Sequence, residues 1–176
     1  EDDHPLPSGN WETIAPSPLP YLEGISVPPR EMDRADMDRV LGEFVQSTRY
    51  AAEAGFDMLE LHMAHGYLLA SFLSPLTNRR QDEYGGSVAN RLRFPLEVLV
   101  AVRKAWPAEK PLSVRLSSSD WAPGGLTEPE LIAIARAMKA AGADLLDLSS
   151  GQTVPWQKPV YGRMWQTPFS DLVRNH

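Results

Sequence analysis

Ala54-Gly55-Phe56-Asp57-Met58-Leu59-Glu60-Leu61 and Ala141-Gly142-Ala143-Asp144-Leu145-Leu146-Asp147-Leu148 are two copies of one pattern, Ala-Gly-x-Asp-x-Leu-acid-Leu. In each, a small residue and a glycine close a helical stretch and a short apolar run follows, as expected where a helix end feeds a buried strand. Ahead of the first copy, Asp33 is placed to cap a helix. Its apolar residues Met37, Val40, Leu41, Phe44 and Val45 recur at helical spacing, and it stops at Gly55. Residues 56–62 are then expected as a strand. Between the copies, 87–106 reads as a second helix with Leu92, Leu96, Leu99 and Val102 on one face and Pro95 kinking it or beginning its main part. Residues 111–116 read as a second strand. Thr127 and Glu130 form a T-x-x-E capping box for a third helix carrying Leu131, Ile134, Ala135 and Met138 and ending at Gly142. Residues 144–149 complete a third strand.

Helix, glycine, strand and long loop therefore repeat in turn. Strands joined this way pair in parallel and need helices over them, leaving a (β/α)8 barrel or an open doubly wound sheet. The G-x-G-x-x-G turn of the open dinucleotide fold is absent, and the polar residues cluster just after the strands, where barrel active sites lie. The expected class is α/β, a TIM (β/α)8 barrel. Three strands cannot close a barrel of about eight strands and ~250 residues, so the chain is expected to be an internal piece that other segments complete. Residues 1–32, crowded with Pro5, Pro7, Pro16, Pro18, Pro20, Pro28 and Pro29, are expected as an irregular, extended lead-in, and 33–176 as the partial barrel.

With 176 residues, 43% of them hydrophobic and 23% charged, the composition is that of a globular protein rather than a disordered one. A net charge of −6 with scattered Lys and Arg offers no attraction to nucleic acid or to anionic lipid. No apolar run approaches the ~20 residues of a membrane span, and EDDHPLPSGN at the start lacks the features of a signal peptide. The absence of cysteine excludes disulfides, thiolate nucleophiles and thiolate metal sites, and suits a cytoplasmic location.

The chemistry-bearing residues follow the first strand: His62-Met63-Ala64-His65-Gly66-Tyr67 places two imidazoles and a phenol at the loop end of a barrel strand. His62 and His65 can converge on one carbonyl or phenolate oxygen, and Tyr67 can reach the same pocket as a general acid. Two rival readings stand beside this one. In one the histidines only satisfy backbone groups; in the other Glu60, His62 and His65 ligate a metal, although no second ligand group follows the other strands. Arg115, on the second strand, reads from the residues alone as a salt-bridge partner within the barrel. Asp82, Glu83, Tyr84, Asn90 and Arg91 read as a lock between loop and helix, and Ser149 and Ser150 receive no chemistry.

Over residues 62–94, HMAHGYLLASFLSPLTNRRQDEYGGSVANRLRF closely resembles the signature segment of Old Yellow Enzyme-type flavin oxidoreductases, with HxxHGYL, FLSPxxNxRxDEYGG and NRxRF. The resemblance continues through VRLSSSDW, which looks like that family's fifth strand, and LLDLSSG, which looks like its sixth. IAPSPLPY and VPPREM look like its segment between the third strand and third helix. ASFLSPLTNRR and VYGRMWQTPFSD are most similar to the reductase part of bifunctional salicylyl-CoA 5-hydroxylases and related anthraniloyl-CoA enzymes.

The resemblance implies strands 4 to 6 of an FMN-containing barrel in which NAD(P)H reduces the flavin and the flavin passes hydride to an enone, another activated alkene or a dearomatised aryl-CoA. It implies that His62 and His65 bind the substrate oxygen, that Tyr67 donates a proton or orients the substrate, and that Arg115 lies beside flavin N1 and O2. It carries with it a homodimer or a fusion to a flavin monooxygenase. The family's flavin-facing glutamine and phosphate site belong to strands outside this sequence, so the polypeptide alone is expected to bind FMN weakly or not at all.

Overall fold

The computed structural model describes residues 4–176. Helix α1 (Arg34–Glu53) begins at Asp33, whose carboxylate accepts from the Asp36 backbone N–H while the Asp36 carboxylate accepts from that of Asp33. Strand β3 (Leu59–Met63), helix α2 (Leu68–Leu73), helix α3 (Val88–Ala105), strand β4 (Leu112–Ser117), helix α4 (Glu128–Ala140), strand β5 (Leu145–Ser149) and helix α5 (Thr167–Arg174) follow. The expected Thr127–Glu130 capping box is present at the start of α4.

The repeated Ala-Gly-x-Asp pattern has a common cause. After α1, the Gly55 N–H donates to the Ala52 carbonyl and the Phe56 N–H to Ala51; after α4, Gly142 donates to Lys139 and Ala143 to Met138. Both are Schellman closures, in which the residue past the cap must turn left-handed. Gly55 and Gly142 do so, with φ of +83° and +103°. These turns occupy the first residues of the expected 56–62 strand, which starts only at Leu59.

Strands β3, β4 and β5 form a parallel sheet in sequential order. Leu61, Met63, Leu112, Val114, Leu116 and Leu148 join one core with Met37 and Val40 of α1, Leu92, Val98, Leu99 and Val102 of α3, and Ile134 and Met138 of α4. Since side chains alternate along a strand, the opposite face carries Glu60, His62, Ser113, Arg115, Ser117, Asp147 and Ser149. Strands in sequence order, with helices packed on one face, are wound as in a barrel; a doubly wound sheet reverses its order and is covered on both faces. Among the described residues no helix is long and apolar enough to cross a membrane.

Four features correct or settle the expected layout. The lead-in is not wholly irregular: β1 (Ile14–Ala15) and β2 (Arg30–Glu31) pair in parallel. Arg80 holds this region in place by donating to the carbonyls of Pro16 and Met32 while pairing with Asp82, and the Arg79 N–H donates to the Ser17 hydroxyl. Helix α2 was hidden because it is short and nearly all buried, which leaves no periodic polar face. Helix α5 carries Pro168 in its first turn, a start signal that the sequence does contain. Helix α3 runs through Pro95 rather than beginning at it.

Candidate active site

His62, Arg115 and Asp147 occupy one level of the sheet, opposite one another in the β3–β4 and β4–β5 registers. One Arg115 Nη lies 3.2 Å from an Asp147 carboxylate oxygen, with both side chains more than a third exposed. The reading of Arg115 as a salt-bridge partner is therefore realised, though incompletely: its Nε is buried and has no hydrogen-bond partner among the described residues. A buried, orphaned N–H costs free energy unless something accepts from it.

Beyond β3 the chain turns sharply. His65 and Gly66 are consecutively left-handed, with φ of 59° and 72°. For His65 this is an uncommon conformation of the kind that collects at functional sites. It is held from β4 and β5: the Ser117 hydroxyl accepts from the His65 backbone N–H at 2.9 Å, and the Ser149 hydroxyl lies 2.6 Å from Nε2. Glycine is required at 66, where an added Cβ would fall 2.7 Å from the Gln152 carbonyl oxygen.

This turn brings His62, His65 and Tyr67 together. The His62 and His65 rings stand edge to face with centroids 5.2 Å apart, and the Tyr67 ring is 5.1 Å from His62. Tyr67 is 61% exposed, so its phenol opens outward. Burial lowers the His65 pKa from its ordinary value; the neighbouring His62 and Arg115 lower it further, and Asp147 partly opposes them. His65 therefore favours the neutral imidazole, and the nitrogen it leaves for a ligand is Nδ1, because Nε2 is engaged by Ser149.

Ser149, Ser117 and Asp147 are the site residues that sequence reasoning passed over. The available signal was alternation: once Arg115 is placed inward, Ser113 and Ser117 share its face, as Asp147 and Ser149 share theirs. Glu60 turns to β4 instead, accepting from the Ser113 hydroxyl at 2.8 Å. Among the described residues no group of three or more His, Asp or Glu could hold a metal ion.

The segment beyond Ser74 has a different task. Asn78 donates to the carbonyls of Phe72 and Tyr84, and Asn90 to that of Gly85. Buried Arg91 donates to the carbonyls of Leu73 and Gly86 and pairs with Glu130 of α4. Asp82 accepts from the Tyr84 backbone N–H. These bonds fix the loop to α2, α3 and α4.

Residues 9–173 match the family model described as NADH:flavin oxidoreductase / NADH oxidase. An NADPH dehydrogenase of Geobacillus sp. (strain WCH70) is 49% identical over 163 residues, covering 93% of this chain and 47% of that protein. One from Listeria monocytogenes serotype 4a (strain HCC23) is 42% identical over the same share of each. The chain thus spans about half the length of the curated relatives it matches. Among solved structures, a 2-naphthoyl-CoA reductase complexed with 2-naphthoyl-CoA superposes with a TM-score of 0.83 at 30% identity, over 93% of this chain and 26% of that one. Morphinone reductase in complex with tetrahydroNAD superposes with a TM-score of 0.74 at 28% identity, over 94% and 47%.

Proposed function

The chain belongs to the NADH:flavin oxidoreductase / NADH oxidase family, and on that premise we propose that it supplies the fourth to sixth strands of an FMN-dependent barrel that uses NAD(P)H to reduce an activated alkene, enone or dearomatised aryl-CoA. The observation that carries this reading is the His62–His65 ring pair at the end of β3, with Tyr67 beside it and Arg115 on the same sheet face.

FMN, when bound, supplies the hydride it has received from NAD(P)H. Arg115 fits such a group: its unpartnered Nε–H can donate to a ring acceptor, and its guanidinium is a fixed positive charge for an anionic ring. His62 and His65 bind the substrate oxygen. Ser149 engages Nε2 at 2.6 Å; the tautomer in which its hydroxyl donates there carries the His65 proton on Nδ1, the nitrogen left for the substrate oxygen. Two N–H donors held by the backbone stabilise negative charge growing on that oxygen without reorganising. Tyr67, exposed beside His62, delivers the proton.

Within this class an aromatic acyl-CoA is the substrate we favour. Its support is the likeness of VYGRMWQTPFSD to reductase parts of salicylyl-CoA 5-hydroxylases, together with the fold's likeness to 2-naphthoyl-CoA reductase. The same likeness favours a chain fused to, or working beside, a flavin monooxygenase.

The test is a phenol titration and a turnover assay on the flavin-loaded full-length barrel that contains these strands. Replacing both His62 and His65 by Ala should weaken phenol binding and slow alkene reduction by about a hundredfold or more. Unchanged binding and turnover would remove the assignment.

A further inference from the structure

Asp120 is 1% exposed, and the chemistry above makes no use of it. Its carboxylate accepts three hydrogen bonds: from the Ser74 hydroxyl at 2.8 Å, the Leu126 backbone N–H at 2.9 Å and the Thr153 hydroxyl at 2.6 Å. Ser74 ends α2 in the loop after β3, Asp120 and Leu126 lie in the loop after β4, and Thr153 lies in the loop after β5. One side chain therefore joins the segments leaving all three strands. None of its three donors is a cation, so the burial of this carboxyl is offset by hydrogen bonding rather than by a salt bridge. The cluster is closely built: Ser74 and Thr153 are 2% and 5% exposed, and a Cβ at Gly125 would fall 2.7 Å from that of Asp120.

A second contact carries this anchor to the histidine turn. Gly66 packs against the backbone of Gln152 and Thr153, where an added Cβ would fall 2.7 Å from the Gln152 oxygen and 3.2 Å from the Thr153 Cα. Residues 65–74 are thus held at both ends, at Ser74 directly and at Gly66 through the residue that Asp120 binds. His65 and Tyr67 lie within that span. We infer that Asp120 is a positioning residue that sets where His65 and Tyr67 stand and acts on substrate only through them, an inference that rests on the proposed substrate-binding role of those side chains.

Asp120→Asn keeps the shape but puts an amide N–H2 where one of the two acceptor oxygens was, opposite a donor. Thr153→Val removes a single donor at nearly constant volume and keeps the question open to measurement if Asp120→Asn fails to fold. In the flavin-loaded full-length barrel each variant should raise the phenol Kd, Asp120→Asn by about tenfold, since small misplacements of a preorganised group are costly. NMR titration of the His65 imidazole, followed without substrate or turnover, should move toward the ordinary histidine value as the ring becomes better solvated.

A merely structural Asp120 would lower the melting temperature while leaving phenol affinity and the His65 titration of the folded protein unchanged, and that result would overturn the inference. The His62→Ala, His65→Ala double variant separates the two claims. If it binds phenol normally, the proposed site is wrong, whereas the His65 titration in Asp120→Asn still reports on positioning by itself.

Discussion

Arg115 and Asp147 face each other across the β4–β5 register with a nitrogen–oxygen distance of 3.2 Å, and Asp147 opposes the other charges acting on His65. Asp147→Asn should therefore lower the His65 pKa further, as read by NMR titration of the imidazole. Because both partners are more than a third exposed, the stability lost with the pair should be only about 0–1 kcal/mol in urea unfolding.

Stability should depend on pH through His65 itself. Its folded pKa is depressed below the ordinary 6.5, so between the two values the unfolded chain binds more protons than the folded one. Stability should rise with pH across that window and be fully present above about 6.5. His65→Gln should flatten this part of the profile in denaturant melts at stepped pH. An unchanged slope would assign it to another group.

Gly66 and Gly86 provide a controlled comparison, since both are left-handed but only Gly66 is crowded. Gly86→Ala, with nothing within 4 Å of the added Cβ, should cost about 1 kcal/mol of backbone strain. Gly66→Ala meets a backbone oxygen at 2.7 Å and should cost about 3 kcal/mol or more by urea unfolding, with weakened phenol binding.

Arg91 is 4% exposed and binds two carbonyls and Glu130. Arg91→Met should destabilise the protein by about 3–5 kcal/mol in chemical denaturation, because it leaves a partly buried carboxylate and two carbonyls without their donor. Binding by the folded fraction should hold, in contrast to Asp120→Asn.

Most of the sheet was legible because its cause is local. The Ala-Gly-x-Asp pattern specifies a helix stop and a strand entry within a few residues, and Asp33 and Thr127 cap the helices from their own sequence. His62, His65 and Tyr67 were equally accessible, since one short run places them in one turn. What the sequence did not disclose depends on distant partners. Ser149 meets the His65 ring and Asp120 meets Ser74 and Thr153 only once the three strands are in register. The β1–β2 pair is stabilised by Arg80, far along the chain, so no propensity within the Pro-rich stretch announces it.

The paired Schellman closures lie before the strands, whereas the histidine turn and the Asp120 cluster lie after them. A residue inserted next to Gly55 or Gly142 would shift strand register and exchange the inward and outward faces. One inserted in the loops beyond the strands would leave that alternation intact. Sequence variation can therefore accumulate at one pole of the sheet while the other keeps the frame constant, with the Asp120 hydrogen bonds limiting how independently the three loops can drift.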